Sequence, residues 1–150
     1  MRYLEQFKVG ERLVLPQLEV SFEEMVNFAR AYDPQPIHID TNSKEAMAMG
    51  GVIASGWFTT ALFMRMSVLG YMSETAVLTS PGVDNLRWLS PVRPGSQLSG
   101  EEIVTSVRLS KSKPDRGVVS CDVRIWDDSG EDVLTLTKHF FVRVEGLTRI

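Results

Sequence analysis

The spacing of apolar residues changes along the chain, from a helical period in the first half to strict alternation in the second. Residues 22–29 place Phe22, Met25, Val26 and Ala29 on one face of a helix, as a period near 3.6 residues requires. In the second half, apolar and polar residues alternate, which is typical of strands with one buried face. Helices followed by a run of strands predict an α+β fold with an antiparallel sheet.

Three helices are predicted in the first half. Ser21 and Glu24 have the spacing of a capping box, and the Asp33–Pro34 step ends this first helix because proline interrupts a helix interior. Asn42 is expected to cap a second, short helix. Residues 57–72 form the longest predicted helix, which is apolar nearly all round and should therefore be buried on most sides.

Four strands are predicted after the long helix, and an earlier segment could add a fifth. Residues 10–18 form either a short strand or an extended lead-in, with Pro16 placing it at a sheet edge. The simplest packing wraps the sheet around the long helix. The four predicted strands are residues 78–89, interrupted by Pro81 and Gly82, then residues 103–109, 119–125 and 133–144.

Length and composition indicate one globular domain that spans residues 1–150. The chain has 150 residues, of which 43% are hydrophobic and 23% charged, and these values are ordinary for a domain with one core. A net charge of −3 argues against a nucleic-acid-binding protein. The single cysteine, Cys121, excludes an internal disulfide and favours a reducing, cytoplasmic location.

No segment or residue cluster indicates a membrane, a metal or a cofactor. The start of the chain lacks the apolar stretch of a signal peptide, and Arg65 lies well inside the apolar residues 51–72, where a membrane helix would not hold it. His38, His139 and Cys121 are too widely separated in sequence to suggest a zinc site. We therefore expect no membrane association, no metal and no bound cofactor, with Cys121 as an inert buried thiol and His139 on the sheet surface or in packing.

A carboxylate and a histidine lie five positions apart around two prolines, at the end of the first predicted helix. Asp33 and Gln35 each precede a proline, so both should be extended and the segment should be a stiff loop. An ionised Asp33 and a neutral His38 at fixed positions can hold a water and move its protons. The same residues could instead form an ordinary turn with a structural histidine, and their spacing alone leaves both interpretations open.

Three stretches together resemble the MaoC-like dehydratases, which are relatives of the (R)-specific enoyl-CoA hydratases. Residues 32–38, Tyr-Asp-Pro-Gln-Pro-Ile-His, resemble the Asp-x-Asn-Pro-x-His motif of that family. Residues 53–57, Ile-Ala-Ser-Gly-Trp, are similar to its turn into the central helix, and residues 82–95 resemble its first long strand and the following turn. The three stretches occur in the order and spacing of the family, and the resemblance extends over nearly the whole chain.

The resemblance implies a hotdog fold, in which a curved antiparallel sheet wraps around one long central helix. It also implies a homodimer or a higher oligomer, with acyl-thioester sites at the interface. The two motif residues that form the catalytic dyad of the family correspond to Asp33 and His38. The asparagine of the family motif is Gln35 here, and a serine that some hydratases carry inside the central helix corresponds to Ala61.

The implied reaction is the hydration of a 2-enoyl thioester to a 3-hydroxyacyl thioester, or the reverse dehydration. Negative charge develops on the thioester oxygen, and backbone N–H groups at a helix N-terminus can stabilise it. We therefore expect the Gly56 N–H to be an oxyanion donor, with Ser55, Trp57 and Gln35 as further substrate-binding residues. The carrier is CoA or acyl carrier protein, and it belongs to the substrate. Surface cations that could hold the CoA phosphates are Arg87, Arg93 and Lys111.

Two other functions remain open from the sequence. A hotdog acyl-CoA thioesterase often carries a catalytic carboxylate in or beside the central helix, and residues 57–72 contain none. A non-catalytic acyl-thioester-binding subunit would be consistent with the departures at Gln35 and Ala61, although Asp33 and His38 are both present.

Overall fold

The chain folds into one sheet of five strands with four helices, and the computed structural model describes residues 1–147. The helices are α1 (Phe22–Tyr32), α2 (Pro36–Ile39), α3 (Lys44–Ala48) and α4 (Gly56–Gly70). The strands are β1 (Arg12–Glu19), β2 (Val77–Trp88), β3 (Gln97–Leu109), β4 (Arg116–Trp126) and β5 (Asp132–Arg143). The helices therefore lie together in the sequence, between β1 and β2.

The five strands form an antiparallel sheet in the order β1-β3-β4-β5-β2. Consecutive strands β3, β4 and β5 form the centre, whereas β1 and β2 are the two edges. α4 lies against one face, where Phe58, Leu62, Phe63 and Met66 share a core cluster with Ile125 and other sheet residues. The predicted α+β class and the hotdog fold implied by the resemblance are both confirmed.

Only one side of α4 is buried within the chain. Its opposite side carries apolar residues that are exposed: Trp57 is 58% exposed, Met64 and Val68 are each 39% exposed, and Leu69 is 67% exposed. The prediction that this helix is buried on most sides is therefore wrong for a single chain. A continuous exposed apolar stripe is typical of a surface that another molecule covers.

The helix starts are partly as predicted. Ser21 Oγ accepts a hydrogen bond from the Glu24 N–H at 3.2 Å and so caps α1. The Glu24 carboxylate accepts from Arg65 at 2.9 Å instead of returning to the Ser21 N–H, so only half of the capping box forms. α3 is capped by Ser43 rather than by Asn42, since Ser43 Oγ accepts a hydrogen bond from the Ala46 N–H at 3.0 Å.

The segment after α1 differs from the predicted stiff loop because it contains the single turn of α2. Pro36 occupies the first position of this turn, where the missing N–H of proline has no intrahelical partner to lose. Gln35 precedes it in an extended conformation, as expected for a residue before proline. His38 is therefore held on a short helix.

The strands agree with the predicted order, and the alternating apolar residues of β4 are buried as expected, whereas those of β3 do not all face the core. The central strand β3 starts earlier than expected, and its core-facing residues include Leu98, Gly100, Glu102 and Val104, whereas the apolar Leu109 is 66% exposed. A register shift follows Val104 in the pairing of β3 with β4. The apolar alternation that begins at residue 103 therefore starts on the outer face of β3. The bulge after Val104 then changes which face the following residues occupy.

A buried ion pair lies inside the core, between α4 and the sheet. Lys138 Nζ lies 2.8 Å from Glu102 Oε2, and neither side chain is more than 1% exposed. Ser67 donates to Glu102 Oε1 at 2.5 Å, and Tyr71 donates to Glu102 Oε2 at 2.8 Å. Lys138 also donates to both hydroxyls and lies 4.8 Å from the ring centroid of Phe140. Every polar atom of the pair therefore has a partner, as buried charges require.

Candidate active site

Asp33 and His38 are brought together because the chain turns between α1 and α2. Asp33 ends α1, with its N–H bonded to the carbonyl of Ala29 at 2.8 Å. Pro36 begins the next helical turn, which carries His38. As a result, His38 Nε2 lies 3.4 Å from Asp33 Oδ2, with both side chains mostly buried. The two residues of the predicted dyad, five positions apart in sequence, are thus close together in space.

A backbone carbonyl fixes the tautomer of His38. His38 Nδ1 lies 2.8 Å from the carbonyl oxygen of Ile53, just before α4. A carbonyl oxygen can only accept, so Nδ1 carries a proton and donates it. In the neutral ring, Nε2 is then an acceptor, and it faces the carboxylate of Asp33. Two acceptors that face each other at 3.4 Å are suited to share the protons of one water.

The carboxylate of Asp33 accepts a hydrogen bond on each oxygen. Gln35 Nε2 donates to Oδ1 at 2.6 Å, and Ser55 Oγ donates to Oδ2 at 2.7 Å. These two bonds, first that of Gln35 and then that of Ser55, lower the pKa of Asp33 below its ordinary value, with a smaller contribution from His38 and an opposing one from burial. Asp33 therefore stays ionised at neutral pH.

Gln35 and Ser55 were expected to bind substrate, and the structure places both against Asp33. Gln35 replaces the asparagine of the family motif and still reaches the carboxylate with its amide group. Ser55 is fully buried and lies 22 residues from Asp33 in the sequence. Local sequence patterns could not indicate this second contact, because it depends on how the start of α4 packs beside the end of α1.

An apolar cavity of about 270 Å³ opens beside His38 and the start of α4. Its polar lining comes from His38, Thr59 and Ser90, and the rest of the wall is mostly hydrophobic. The hydrophobic lining residues are Ile53, Ala54, Trp88, Leu89, Pro91, Val92 and Val133. A mostly apolar pocket with a few polar groups at one side is typical of a site for a small organic ligand.

Gly56 lines this cavity and is the first residue of α4. Among residues 1–147, no backbone or side-chain acceptor pairs with its N–H, so this N–H remains available to a ligand. A Cβ at this position would overlap the indole ring of Trp88. Trp88 is held there by a hydrogen bond from Nε1 to Thr60 Oγ1 at 3.1 Å. Glycine is therefore required here for close packing with Trp88.

Trp57 and Ala61 lie outside the cavity lining. Trp57 is exposed and packs edge-to-face on Trp88, with ring centroids 5.0 Å apart. Ala61 lies on the exposed side of α4, away from the core. Neither residue therefore contacts the Asp33 carboxylate, which receives its serine hydrogen bond from Ser55.

The three candidate phosphate-binding cations lie in two places. Arg93 follows the cavity wall and donates to the carbonyl of Met49, and Arg87 lies on β2 one residue before Trp88. Lys111 follows the far end of β3, where β3 and β4 meet beside the start of β2. Within one chain, Lys111 is therefore at the opposite end of the sheet from the cavity.

Cys121 and His139 both lie away from the cavity lining. Cys121 is fully buried, and burial raises the pKa of its thiol to about 12, so it is not a nucleophile at neutral pH. His139 lies on the outer face of the sheet, bonded to Ser120 Oγ and to Asp84 Oδ2 at 2.8 Å each. Within the part of the chain described here, no group of three or more histidine, cysteine or acidic side chains could hold a metal ion, and no helix has the length and apolar character to cross a membrane.

Comparison with known proteins gives consistent matches to one family. The family model described as "MaoC like domain" matches residues 6–123. Nodulation protein N of Rhizobium meliloti (strain 1021) is 35% identical over 109 residues, which are 69% of this chain and 68% of that protein. The crystal structure of the MaoC-like dehydratase from Rhodospirillum rubrum has a TM-score of 0.86 and 34% identity, and the match covers 97% of this chain and 99% of the other.

The (R)-hydratase from A. caviae involved in PHA biosynthesis has the same fold, with a TM-score of 0.71 and 23% identity, over 91% of this chain and 97% of the other. The family model covers well over half of the chain, and the two relatives from Rhizobium meliloti and Rhodospirillum rubrum both exceed 30% identity. The chain therefore belongs to the MaoC-like dehydratase family.

Proposed function

We propose that the protein hydrates 2-enoyl thioesters to 3-hydroxyacyl thioesters, or catalyses the reverse dehydration. The single observation that carries this proposal is the pairing of Asp33 with His38 at 3.4 Å beside an apolar cavity that Gly56 also lines. An acid–base pair, an apolar acyl pocket and an N–H donor at a helix N-terminus are the three groups that this reaction needs.

In this mechanism the thioester oxygen accepts a hydrogen bond from the Gly56 N–H. When water adds to Cβ, the carbon–carbon double bond shifts its electrons toward Cα and the thioester carbonyl, and negative charge develops on the oxygen. The unpaired N–H at the start of the fifteen-residue α4 lies at the positive end of the helix dipole. It therefore stabilises the enolate more than it stabilises the neutral substrate, which is the requirement for catalysis.

Asp33 and His38 hold the attacking water between them. The water donates one proton toward Asp33 and the other toward His38 Nε2, which is free to accept because Nδ1 is bonded to Ile53. The hydrogen bonds to Asp33 lower its pKa, so Asp33 is a weak proton acceptor and orients the water. His38 takes the proton as the oxygen bonds to Cβ, and it then returns the proton to Cα to complete the addition.

The substrate is an acyl thioester of CoA or of acyl carrier protein, with a short acyl chain. The cavity volume of about 270 Å³ is just below the range that is usual for small-molecule sites. Its hydrophobic wall suits an enoyl chain, and Arg87 and Arg93 lie on the segments that form or follow this wall. These two cations are the candidates for the CoA phosphates.

The protein is proposed to act as a homodimer that pairs through β2. This edge strand has twelve residues, and its surface continues through Trp88 into the exposed apolar stripe of α4. The other edge, β1, is shorter and contains Pro16, which cannot donate a backbone hydrogen bond to a neighbouring strand. Light scattering at micromolar concentration tests this expectation, and a monomer mass would contradict it.

The hydration reaction is tested by incubating the purified protein with crotonyl-CoA and, separately, with butyryl-CoA. Loss of the enoyl absorbance with crotonyl-CoA is the expected result. Release of free thiol from butyryl-CoA would instead indicate a thioesterase, and binding of either compound without turnover would indicate an acyl-thioester-binding subunit.

The role of the dyad is tested with Asp33→Asn, His38→Ala and their combination. Each single change should lower turnover by about 10²–10⁴-fold, the usual contribution of a positioned acid or base. Turnover of the double variant should be only slightly lower than that of the less active single variant, because the two groups act on one water. Asp84→Asn and His139→Ala are matched controls, since they alter the other Asp–His pair of the described chain. Near-normal turnover in folded Asp33→Asn would refute the mechanism.

A further inference from the structure

Serine residues stand at the N-cap positions of the three longer helices, and one of them behaves differently. Ser21 accepts from the Glu24 N–H at 3.2 Å, and Ser43 accepts from the Ala46 N–H at 3.0 Å. These bonds satisfy N–H groups in the first turn of α1 and α3, as an N-cap serine normally does. Ser55 occupies the same position on α4 but makes no capping hydrogen bond.

The hydroxyl of Ser55 is directed to the candidate active site. It is fully buried and donates to Asp33 Oδ2 at 2.7 Å. This is the same oxygen that lies 3.4 Å from His38 Nε2, whereas Gln35 holds the other oxygen. The bond from Ser55 therefore fixes the side of the carboxylate that faces the histidine.

Ser55 and Gly56 are consecutive, so one peptide unit joins two parts of the site. The Ser55 hydroxyl contacts Asp33, and the next residue, Gly56, lines the cavity and has an N–H without an acceptor among residues 1–147. Since the peptide unit is planar and rigid, the position of the carboxylate is tied to the position of the N–H donor. The absence of a capping bond to the Ser55 hydroxyl also leaves the first N–H groups of α4 without a side-chain acceptor from this residue.

We propose that Ser55 is a positioning residue for the hydration reaction: it holds Asp33 toward His38 and sets the distance between the bound water and the thioester oxygen. This inference rests on the proposed function. It assigns to Ser55 a role through Asp33 and not a contact with the substrate, because Ser55 is fully buried and does not line the cavity.

The test compares Ser55→Ala with Ser21→Ala, which removes a serine from an N-cap far from the site. Three quantities are measured: the pKa of Asp33 by NMR titration of its labelled carboxyl carbon, turnover of crotonyl-CoA, and the melting temperature. Ser55→Ala should raise the pKa of Asp33 toward its ordinary value, since one of the bonds that lower it is lost. Its kcat should fall about tenfold, the effect of losing one hydrogen bond to a charged group, with a smaller change in KM.

Ser21→Ala should lower the melting temperature and leave both the pKa of Asp33 and kcat unchanged. If Ser55→Ala does not fold, Ser55→Gly removes the same hydroxyl, and glycine is tolerated at an N-cap. An unchanged pKa of Asp33 in a folded Ser55 variant would overturn the inference, and so would a shifted pKa with unchanged kcat. The NMR titration needs no substrate, so it tests the contact between Ser55 and Asp33 separately from the reaction. If the wild-type protein hydrates no enoyl thioester, the proposed function and the positioning role are both refuted, even where the titration shows the contact to Asp33.

Discussion

The buried Glu102–Lys138 pair offers the sharpest test of how this core is stabilised. The perturbations are Lys138→Met, Glu102→Leu and the double replacement. Each single change leaves one charged group buried without its ion partner, and such losses typically cost about 3–5 kcal/mol. Replacing both with apolar residues of similar size is often neutral or stabilising, so the double variant should be far more stable than the sum of the single effects predicts.

The loss in the free energy of unfolding of each single variant has an upper limit, because a buried group without its ion partner can gain or lose a proton and become neutral. Burial lowers the pKa of Lys138 from 10.5, and in Glu102→Leu nothing opposes that effect through an ion pair. Deprotonating an ordinary lysine at pH 7 costs about 4.8 kcal/mol, and protonating an ordinary glutamate costs about 3.7 kcal/mol. Lys138→Met should lower the free energy of unfolding less than Glu102→Leu does, since Glu102 keeps the hydrogen bonds from Ser67 and Tyr71.

The assay is urea unfolding at pH 7, followed by circular dichroism and by turnover of the folded protein. Turnover should be preserved in every variant that folds, because Ser67 lies three turns along α4 from Gly56, about 16 Å at the rise of a helix. If the free energy of unfolding falls by less than about 1 kcal/mol in both single variants, the idea that each leaves an unpaired charge in the core is refuted. A double variant as unstable as the sum of the singles would show that the pair contributes no coupling energy.

Three further outcomes follow from other contacts. Gly56→Val should lose both stability and turnover, since its side chain overlaps Trp88; adding Trp88→Leu should restore the melting temperature but not kcat, and a stable, active single variant would contradict this. Arg93→Gln should raise KM for a CoA substrate and weaken the dependence of KM on salt, whereas Lys111→Gln, at the other end of the sheet, should change neither. Because burial raises the pKa of Cys121 from 9.0 to about 12, the folded thiol holds its proton where the unfolded thiol loses it, so stability falls as pH rises from 9 toward 12. The free energy of unfolding in urea should be measured for wild type and for Cys121→Val at pH 8 and at pH 10. The difference between the two proteins should change by about 1.4 kcal/mol between these pH values, and a constant difference would refute the raised pKa of Cys121.

The parts of the molecule that the sequence predicts correctly depend on local patterns. Asp33 and His38 are within one short segment whose prolines set its geometry, so their proximity follows from neighbouring residues. The order of helices and strands follows from the change of period and from the turns. The resemblance added the hotdog arrangement, which the period alone does not specify.

The parts that the sequence does not predict depend on long-range packing. Ser55 looks like an ordinary helix cap, and only the position of α4 beside Asp33 changes its role. Glu102 stands in a strand whose apolar alternation marks the outer face before a bulge. Lys138 gave a detectable signal, because it interrupts a core-facing series with Leu136 on one side and Phe140 on the other.

The order of the strands has a consequence for how the protein folds. β3, β4 and β5 make two consecutive hairpins, so they form from contacts that are close in sequence. Each edge strand must instead close a long loop, since Arg12 pairs with Ile103 and Val77 pairs with Val142. All residues of the proposed dyad lie between these edges, in the part of the chain that we expect to become ordered last.

Substitutions near the site should therefore change the unfolding rate and leave the folding rate nearly unaltered, because we expect their contacts to form after the folding transition state. The central hairpins would form at the same speed whatever ligand the cavity accepts. A chain organised in this way can acquire new substrate preferences in residues 33–92 while the folding nucleus in β3–β5 stays unchanged.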